Sequence, residues 1–310
     1  MREDRFAHRA LSVAVDHVIP NFIQRDGYGS EMPKLDQFES VFRAAAKQVY
    51  TEPECDILRV CIVVDDADVD PSPFTVSVKT YLAGLPTFDQ IRWDIFDAAD
   101  SSLSALLLFI QDEKPDMVCT YRQLCARQQD WVPGLGDYVE MLTQVTEVPV
   151  LLFPNPQTAG YRTQPKTIMA VTDHMSGEHR LVTFAAKMTP EKARLLLAHV
   201  EDDAIFEKYL VIIGKIADID TETARRTIRE RLMKEAREYM SSCAEALRRA
   251  GLEIETRAMW GHHVSVYQEL VRRDEIDLLV MNTKDDDQLA MHGLAYPLAV
   301  EFTQIPVLLL

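Results

Sequence analysis

Short apolar runs alternate along this chain with segments in which apolar residues recur at three- and four-residue steps. The runs are apolar on both faces, as in the strands of a covered parallel sheet, and the segments between them have helical periodicity. Strands that alternate with helices favour a doubly wound α/β fold. In the first half the pattern predicts strands at 11–16, 57–64, 91–96, 116–121 and 148–153, and helices near 36–50, 74–84, 101–113 and 135–146.

The second half of the chain repeats this order. LSVAVDH at Leu11 resembles IMAVTDH at Ile168, and EVPVLLF around Pro149 resembles QIPVLLL around Pro306. These pairs, together with the glycines Gly136 and Gly293, share an offset of 157 residues, which indicates an internal repeat. The sequence therefore predicts two domains, residues 1–153 and 168–310, joined by a linker at 154–167 that is rich in proline and polar residues.

The two repeats differ in two places. The second has a longer second helix over about 221–250, which Gly251 can end because glycine readily adopts the left-handed conformation. In the first, Ala45-Ala46-Lys47 matches Ala185-Ala186-Lys187 at a smaller offset of 140, which predicts an insertion near 18–36. That insertion is interpreted either as surface elaboration or as a cover over the first domain's cleft.

Charge and cysteine content narrow the function classes. The formal net charge of −16 argues against binding to nucleic acid or to an anionic membrane, since both partners repel an acidic surface. No apolar run approaches the ~18 residues of a membrane span, and the N-terminus lacks the pattern of a secretory signal. Five cysteines without a C-x-x-C pair favour reduced thiols, so we expect a cytoplasmic protein.

The last strand of each repeat predicts how the repeats meet. VPVLLF and IPVLLL are apolar on both faces, and such an edge strand would promote aggregation if it stayed exposed. We therefore expect the two edges to pair across a pseudo-two-fold axis, so that the chain forms a pseudo-dimer with itself. Further dimerisation of the chain remains an open alternative.

Five segments of the second repeat carry a family resemblance: IMAVTDHMSGE, RLLLAHVEDD, ALRRAGLEIETRAMWG, IDLLVM and HGLAYPLAVEFTQIPVLLL. In this order they resemble a universal stress protein, and with the repeat the chain is similar to the tandem, two-domain type. The resemblance implies adenine nucleotide alpha hydrolase-like domains and a role in stress response. It also implies a family that is generally dimeric and divided between members that bind ATP and members that do not.

The resemblance also implies where a nucleotide would bind. In members that bind ATP, an aspartate ends the first strand, and a G-x2-G-x9-G-[ST] motif after the fourth strand holds the phosphates. The positions that match in this chain are Asp173, Val200, Met281, Asn282 and Gly293 in the second repeat, and Asp16 and Gly136 in the first.

The phosphate motif is degenerate in both repeats. Asn282 and Asp285 replace the first two glycines of the second repeat, and Leu294 replaces the hydroxyl residue. Tyr121 and Leu124 replace the glycines of the first repeat. A phosphate cradle needs residues that tolerate positive φ and let the backbone approach the anion. The residues that replace the glycines have side chains that hinder both. We therefore expect no cofactor, with ATP or AMP and magnesium as the alternative.

Three histidines near the predicted carboxyl ends of the second sheet, His174, His263 and His292, are candidate metal ligands, but their spacing matches no metal motif. No serine or cysteine lies in a nucleophile motif. The sequence predicts a non-catalytic, stress-response regulatory or ligand-sensing protein with an unknown small-molecule or protein partner. The alternatives are an ATP-binding member with slow hydrolysis and an assembly scaffold whose clefts are filled by its own side chains.

Overall fold

The computed structural model describes residues 48–65, 72–126, 134–159, 163–172, 175, 177–213, 221–283 and 294–310. The predicted strand at 11–16 and the predicted insertion near 18–36 lie outside these residues. So do residues 36–47 of the predicted helix near 36–50, whose last three residues, 48–50, are not helical. In the described part of the chain, no helix combines the length and the apolar character needed to cross a membrane.

The described elements agree with the predicted positions to within a few residues. The strands are β1 (Arg59–Val64), β2 (Arg92–Asp97), β3 (Met117–Tyr121), β4 (Val150–Phe153), β5 (Thr167–Thr172), β6 (Arg194–Glu201), β7 (Glu253–Trp260), β8 (Leu278–Met281) and β9 (Val307–Leu309). The helices are α1 (Pro73–Leu82), α2 (Leu103–Glu113), α3 (Asp137–Val145), α4 (Pro156–Ala159), α5 (His179–Lys187), α6 (Asp203–Ile213), α7 (Thr221–Arg249), α8 (His263–Arg273) and α9 (Ala295–Glu301).

All nine described strands belong to one sheet in the order β2-β1-β3-β4-β9-β8-β5-β6-β7. We call β1 to β4 with their helices the first unit and β5 to β9 with theirs the second unit. Within each unit neighbouring strands are parallel. Counted along its own chain, the second unit has the order 3-2-1-4-5, which is that of a doubly wound sheet. The predicted α/β fold class is confirmed.

Among the described residues, the first unit has no strand that corresponds to β7. β1 lies between β2 and β3, as β5 lies between β6 and β8, so β1 is the counterpart of the first strand of the second unit. The predicted equivalence placed 57–64 second and 11–16 first, and it was wrong for 57–64. Because β1 bonds directly to β3, no position between them remains for another strand. The helix after the first strand is α1, and β2 is followed directly by α2.

Two aspartates show the same equivalence in hydrogen bonds. Asp116 Oδ2 accepts the backbone N–H groups of Leu58 and Arg59, both at 2.8 Å, where β1 begins. Asp277 Oδ2 accepts those of Lys166 and Thr167 at 2.9 and 3.2 Å, where β5 begins. Asp116 immediately precedes β3, Asp277 immediately precedes its counterpart β8, and each satisfies amides that start the first strand of its unit.

The units join through an antiparallel pair, as predicted from the apolar edges. β4 pairs with β9 in the register Val150↔Leu309, Leu151↔Leu308 and Leu152↔Val307. All these residues are buried in a continuous core. Because the join is antiparallel, the carboxyl ends of the strands in one unit lie at the same edge of the sheet as the amino ends in the other.

The long helix predicted over about 221–250 is confirmed as α7, which is the third helix of the second unit because the separate helix α6 precedes it, and it ends as predicted. Gly251 has φ 92°, its amide donates to the Arg248 carbonyl, and the Leu252 amide donates to the Leu247 carbonyl at 3.1 Å. This left-handed termination turns the chain into the edge strand β7.

The segment before β1 packs on the second unit. The amide of Tyr50 donates to Ser242 Oγ on α7 at 3.0 Å, and the Tyr50 hydroxyl bonds Thr183 Oγ1 on α5 at 2.8 Å. Lys187 Nζ, at the end of α5, bonds Asp56 Oδ1 at 2.7 Å. The chain therefore crosses from the helices of the second unit to the first strand of the first.

Candidate functional site

The carboxyl end of β6 positions the first predicted site residue of the second unit. Val200 is fully buried, and its carbonyl accepts a hydrogen bond from His263 Nε2 at 2.7 Å. Since a carbonyl only accepts, Nε2 carries the proton. The neighbouring Asp202 accepts the amide of His263 at 3.3 Å through one oxygen and that of Ala204 at 2.9 Å through the other. The polar groups at this strand end thus bond to one another.

A buried histidine that the sequence did not indicate lies one strand position away. His199 is 2% exposed, and its Nε2 lies 2.9 Å from Glu201 Oε1. Its Nδ1 lies 3.4 Å from the carbonyl of Thr172, the last residue of β5. Both ring nitrogens therefore face acceptor oxygens, which holds the ends of β5 and β6 together.

The end of β8 carries the next two predicted residues. Met281 is buried and pairs with Val171 in β5. Asn282 Nδ2 donates to Glu178 Oε2 at 2.6 Å, just before α5. The amide thus brings a carboxylate to the place where the phosphate motif would begin. Other predicted residues of this site lie outside the described residues: Asp173, Gly293, His174 and His292.

In the first unit an aspartate that the sequence analysis did not single out lies at the end of β1. Asp65 is the counterpart of Asp173 by the strand equivalence, whereas Asp16, predicted for this role, lies outside the described residues. The Tyr121 hydroxyl donates to Asp65 Oδ1, and the Cys125 amide donates to Oδ2 at 2.8 Å. The signal in the sequence was the run RVCIVVDDA, apolar and ending in aspartate.

The loop after β3 closes on that carboxylate without glycine. Gln123 and Cys125 have φ of 59° and 61°, which ordinary residues adopt only at a cost. The Gln123 amide donates to the Leu135 carbonyl at 3.1 Å, and its side chain donates to the Gly134 carbonyl at 3.2 Å. The loop is therefore fixed by its own hydrogen bonds.

Gly136, predicted as a binding residue, lies against this loop. It has φ 97°, and a Cβ there would lie 3.0 Å from both the backbone N and the Cα of Gln123. Glycine is required because the loop backbone occupies the space that a side chain would take. The described residues thus use Gly136 to pack the loop onto the start of α3.

Cys125 is the exposed thiol in this cleft. Its Sγ lies 3.4 Å from the Ala98 carbonyl. Burial of the sulfur, followed by the nearby Asp65 carboxylate, raises the pKa of Cys125 to about 11, although a hydrogen bond with Tyr138 opposes the shift. The thiolate is thus scarce at neutral pH, which makes this thiol a poor nucleophile.

Arg122 follows β3 and is buried at the join between the units. One terminal nitrogen donates to the Phe302 carbonyl at the end of α9, at 3.0 Å. Nε and Nη1 have no hydrogen-bond partner among the described residues. Burial lowers the pKa of Arg122 to about 10. The cation nevertheless lies at the negative end of a helix, where its charge is favourable.

The residues that the structure describes contain no group of three or more His, Cys, Asp and Glu side chains that could hold a metal. His263 contacts Asp202 and the Val200 carbonyl, so its described contacts are with protein groups. A separate cavity of about 140 Å³ opens at the amino ends of β5 and β8, at the opposite edge of that unit from the candidate site. Its lining is Tyr81, Thr163, Gln164, Lys166 and Asp277.

No protein-family model matches the chain, and no curated protein sequence matches it. Solved structures do. A putative universal stress protein from Pseudomonas aeruginosa UCBPP-PA14 matches with 14% identity and a TM-score of 0.45, over 91% of this chain and 90% of that one. A universal stress protein from Archaeoglobus fulgidus DSM 4304 matches with 11% identity and a TM-score of 0.44, over 81% and 95%.

A shorter protein matches one part of the chain. Universal stress protein UspA from Lactobacillus plantarum matches with 14% identity and a TM-score of 0.37, over 47% of this chain and 97% of its own. The fold assignment itself rests on the strand order and on the antiparallel join. In fold, the chain is similar to universal stress proteins, including the tandem type, at low sequence identity.

Proposed function

We propose that this chain is a non-catalytic regulatory protein of the tandem universal stress type, and that its first cleft does not bind nucleotide. One observation carries the proposal: the Asp65 carboxylate accepts the Cys125 amide and the Tyr121 hydroxyl. These donors belong to the loop that, in members of the family that bind ATP, would hold phosphate.

A nucleotide would have to displace an anion that is already part of the chain. The loop holds Asp65 through two hydrogen bonds, and a phosphate placed there would add like charge beside that carboxylate. Two unit charges 4 Å apart repel by about 1 kcal/mol in water and by more near protein. The internal carboxylate, which needs no loss of translational freedom, therefore competes favourably with phosphate.

The second cleft has a different obstacle to nucleotide. Asn282 occupies a position where the motif has glycine, and its amide holds Glu178 at 2.6 Å. The Val200 carbonyl is engaged by His263. A ligand for this cleft would have to tolerate the Glu178 carboxylate, which favours a cationic or neutral molecule over a triphosphate.

Two observations support a non-catalytic role. The exposed thiol, Cys125, has a raised pKa and is therefore mostly protonated at neutral pH. The other described residues near the cleft ends form hydrogen bonds with one another, as for His263 with Val200. A second candidate is an assembly scaffold with filled clefts. Only the first cleft favours it, because the polar groups of that cleft form hydrogen bonds with one another.

Calorimetry with ATP and magnesium tests the proposal. We expect no saturable binding by the unaltered chain at sub-millimolar nucleotide. The variant Asn282→Gly, Asp285→Gly, Leu294→Ser restores the missing motif residues, and binding by this variant alone would assign the defect to the loop. Micromolar binding by the unaltered chain, lost in Asp173→Ala, would establish the ATP-binding alternative. Mass spectrometry of small molecules released from the denatured protein separates a ligand-sensing role from a scaffold.

A further inference from the structure

The cavity at the amino ends of β5 and β8 has walls from both units and from the segment between them. Tyr81 lines it from α1 in the first unit, and Asp277 lines it from the position just before β8. Thr163, Gln164 and Lys166 line it from the segment that leads into β5. Its volume is about 140 Å³. Because one water needs ~10–15 Å³ of such space, the cavity has room for roughly ten water-sized groups.

Hydrogen bonds hold the Asp277 carboxylate in place at one wall. Its Oδ2 accepts the backbone amides of Lys166 and Thr167 at 2.9 and 3.2 Å. The Asp277 carbonyl accepts the Tyr81 hydroxyl at 3.5 Å, and Tyr81 is only 2% exposed. The carboxylate is therefore oriented before a ligand arrives, which lowers the ordering cost of binding.

A close contact between the units keeps α1 at the cavity. Gly84 lies just beyond the end of α1, and a Cβ there would lie 2.8 Å from Pro190 Cβ in the second unit. The Tyr81 ring packs edge-on against Phe153, with ring centroids 5.1 Å apart. The wall that Tyr81 forms is thus fixed by packing on both sides.

The cavity presents one charge of each sign. Lys166 contributes an ammonium group and Asp277 a carboxylate. In the part of the chain that the structure describes, Lys166 Nζ donates no hydrogen bond and Asp277 Oδ1 accepts none, so the two charges do not pair with each other. Thr163 and Gln164 add a neutral hydroxyl and a neutral amide to the lining.

This pair of charges discriminates between classes of small ligand. A simple anion in the cavity would meet the Asp277 carboxylate and the repulsion of a chain whose net charge is −16. A simple cation would meet the Lys166 ammonium. A molecule that carries both charges meets an opposite charge at each end, which is the arrangement that electrostatic complementarity favours.

We propose that this cavity binds a small zwitterion of the α-amino acid class, with its carboxylate on the Lys166 ammonium and its ammonium on Asp277 Oδ1. The volume restricts the ligand to a small side chain. Because both units form the walls, the bound ligand stabilises the junction between them. The proposal goes beyond the function proposed above and does not depend on whether either cleft binds nucleotide, since the cavity lies at the other edge of the second unit.

Titration of the full chain with L-alanine, followed by NMR, tests the proposal. The amide signals of Lys166, Thr167 and Asp277 should shift saturably, with a dissociation constant in about the millimolar range for so small a ligand. Lys166→Gln should weaken binding about tenfold or more because the contact between charges is lost. Lys234→Gln, at an exposed lysine on α7, is the matched control and should leave binding unchanged.

Ligands with a single charge test the zwitterion itself. Acetate and methylammonium should each bind about tenfold or more weakly than L-alanine, because each makes only one of the two contacts. Asp277→Asn keeps an oxygen for the amides at the start of β5 and removes the negative charge. This variant should weaken L-alanine by a similar factor without weakening acetate, a pattern that loss of structure alone would not give.

Three outcomes would overturn the proposal. The first is the absence of a saturable shift with L-alanine at roughly tens of millimolar. The second is acetate binding as tightly as L-alanine, which would assign the cavity to simple anions. The third is L-alanine binding that is unchanged in Lys166→Gln, which would place the ligand elsewhere. If Asp277→Asn does not fold, the exposed Lys166→Gln variant and the two single-charge ligands still decide.

Discussion

Leu151 pairs with Leu308 across the antiparallel join, and each is the counterpart of the other at the repeat offset of 157 residues. The pseudo-two-fold axis that relates the units therefore passes through this pair. The neighbouring pairs, Val150↔Leu309 and Leu152↔Val307, are then the two symmetric copies of one contact. Such a register keeps matching side chains on the same face of the sheet in both units.

The first prediction concerns this pair. Leu151→Ala and Leu308→Ala should each lower the free energy of unfolding by about 2–5 kcal/mol, because both side chains are fully buried. The two losses should be similar, since the axis makes the sites equivalent, and urea unfolding measures both. Leu108→Ala, at a leucine that is 60% exposed, should change stability by less than about 0.5 kcal/mol. A large difference between the two core variants would contradict the symmetry.

The second prediction concerns the aspartates at the strand starts. Asp116→Ala and Asp277→Ala each leave two backbone amides without their acceptor. We expect each to lower the free energy of unfolding by about 1–3 kcal/mol. Asp112→Ala, at an exposed position on α2, is the matched control. If Asp116→Ala or Asp277→Ala changed the free energy of unfolding as little as this control, the carboxylate at that position would not be needed to start the strand.

The third prediction concerns the reactivity of Cys125. Its pKa of about 11, against an ordinary value of 9.0, should make alkylation at pH 8 about a hundredfold slower than that of an ordinary exposed thiol. Asp65→Asn removes a charge that raises this pKa, so the pKa should fall and alkylation should accelerate. Mass spectrometry after iodoacetamide treatment measures the rate, with Asp112→Asn as the control. An unchanged rate in Asp65→Asn would show that the Asp65 charge does not raise the pKa of Cys125 measurably.

The fourth prediction concerns the buried cation. Burial lowers the pKa of Arg122 from 12.5 to about 10, which corresponds to about 3 kcal/mol of unfavourable desolvation. Arg122→Met removes that penalty and loses one charged hydrogen bond, worth about 1.5–3 kcal/mol. We therefore expect thermal unfolding to show a small gain in stability or none.

The pH dependence of stability provides the control for Arg122→Met. Between pH 10 and 12.5 the unfolded state binds more protons at Arg122 than the folded state, so the wild type should gain stability relative to Arg122→Met as pH rises through that window. A loss of more than about 2 kcal/mol in Arg122→Met at pH 7 would contradict the prediction. It would indicate that a negative group pairs with the guanidinium.

The elements could be predicted from the sequence because their signals are local. Residues 59–64 are apolar on both faces, which indicates a covered strand wherever the strand lies in the sheet. The join of β4 to β9 was also predictable, since two matching apolar edges have few ways to be covered.

The correspondence between the strands of the first unit and those of the second could not be predicted in the same way. The match between LSVAVDH and IMAVTDH is a local likeness, whereas the position of β1 depends on its pairing with β2 and β3. The contact between Asp65 and Tyr121 joins residues 56 positions apart, and nothing in the composition of either segment indicates it. Site geometry of this kind depends on the tertiary structure.

The antiparallel join has a consequence for how this protein meets other molecules. Asp65 of the first cleft and Val200 of the second lie at the carboxyl ends of strands that run in opposite directions. The clefts therefore open toward opposite sides of the molecule, and a body seated at one leaves the approach to the other clear. Molecules bound in both clefts would therefore lie at opposite ends of the strands, separated by the length of the strands.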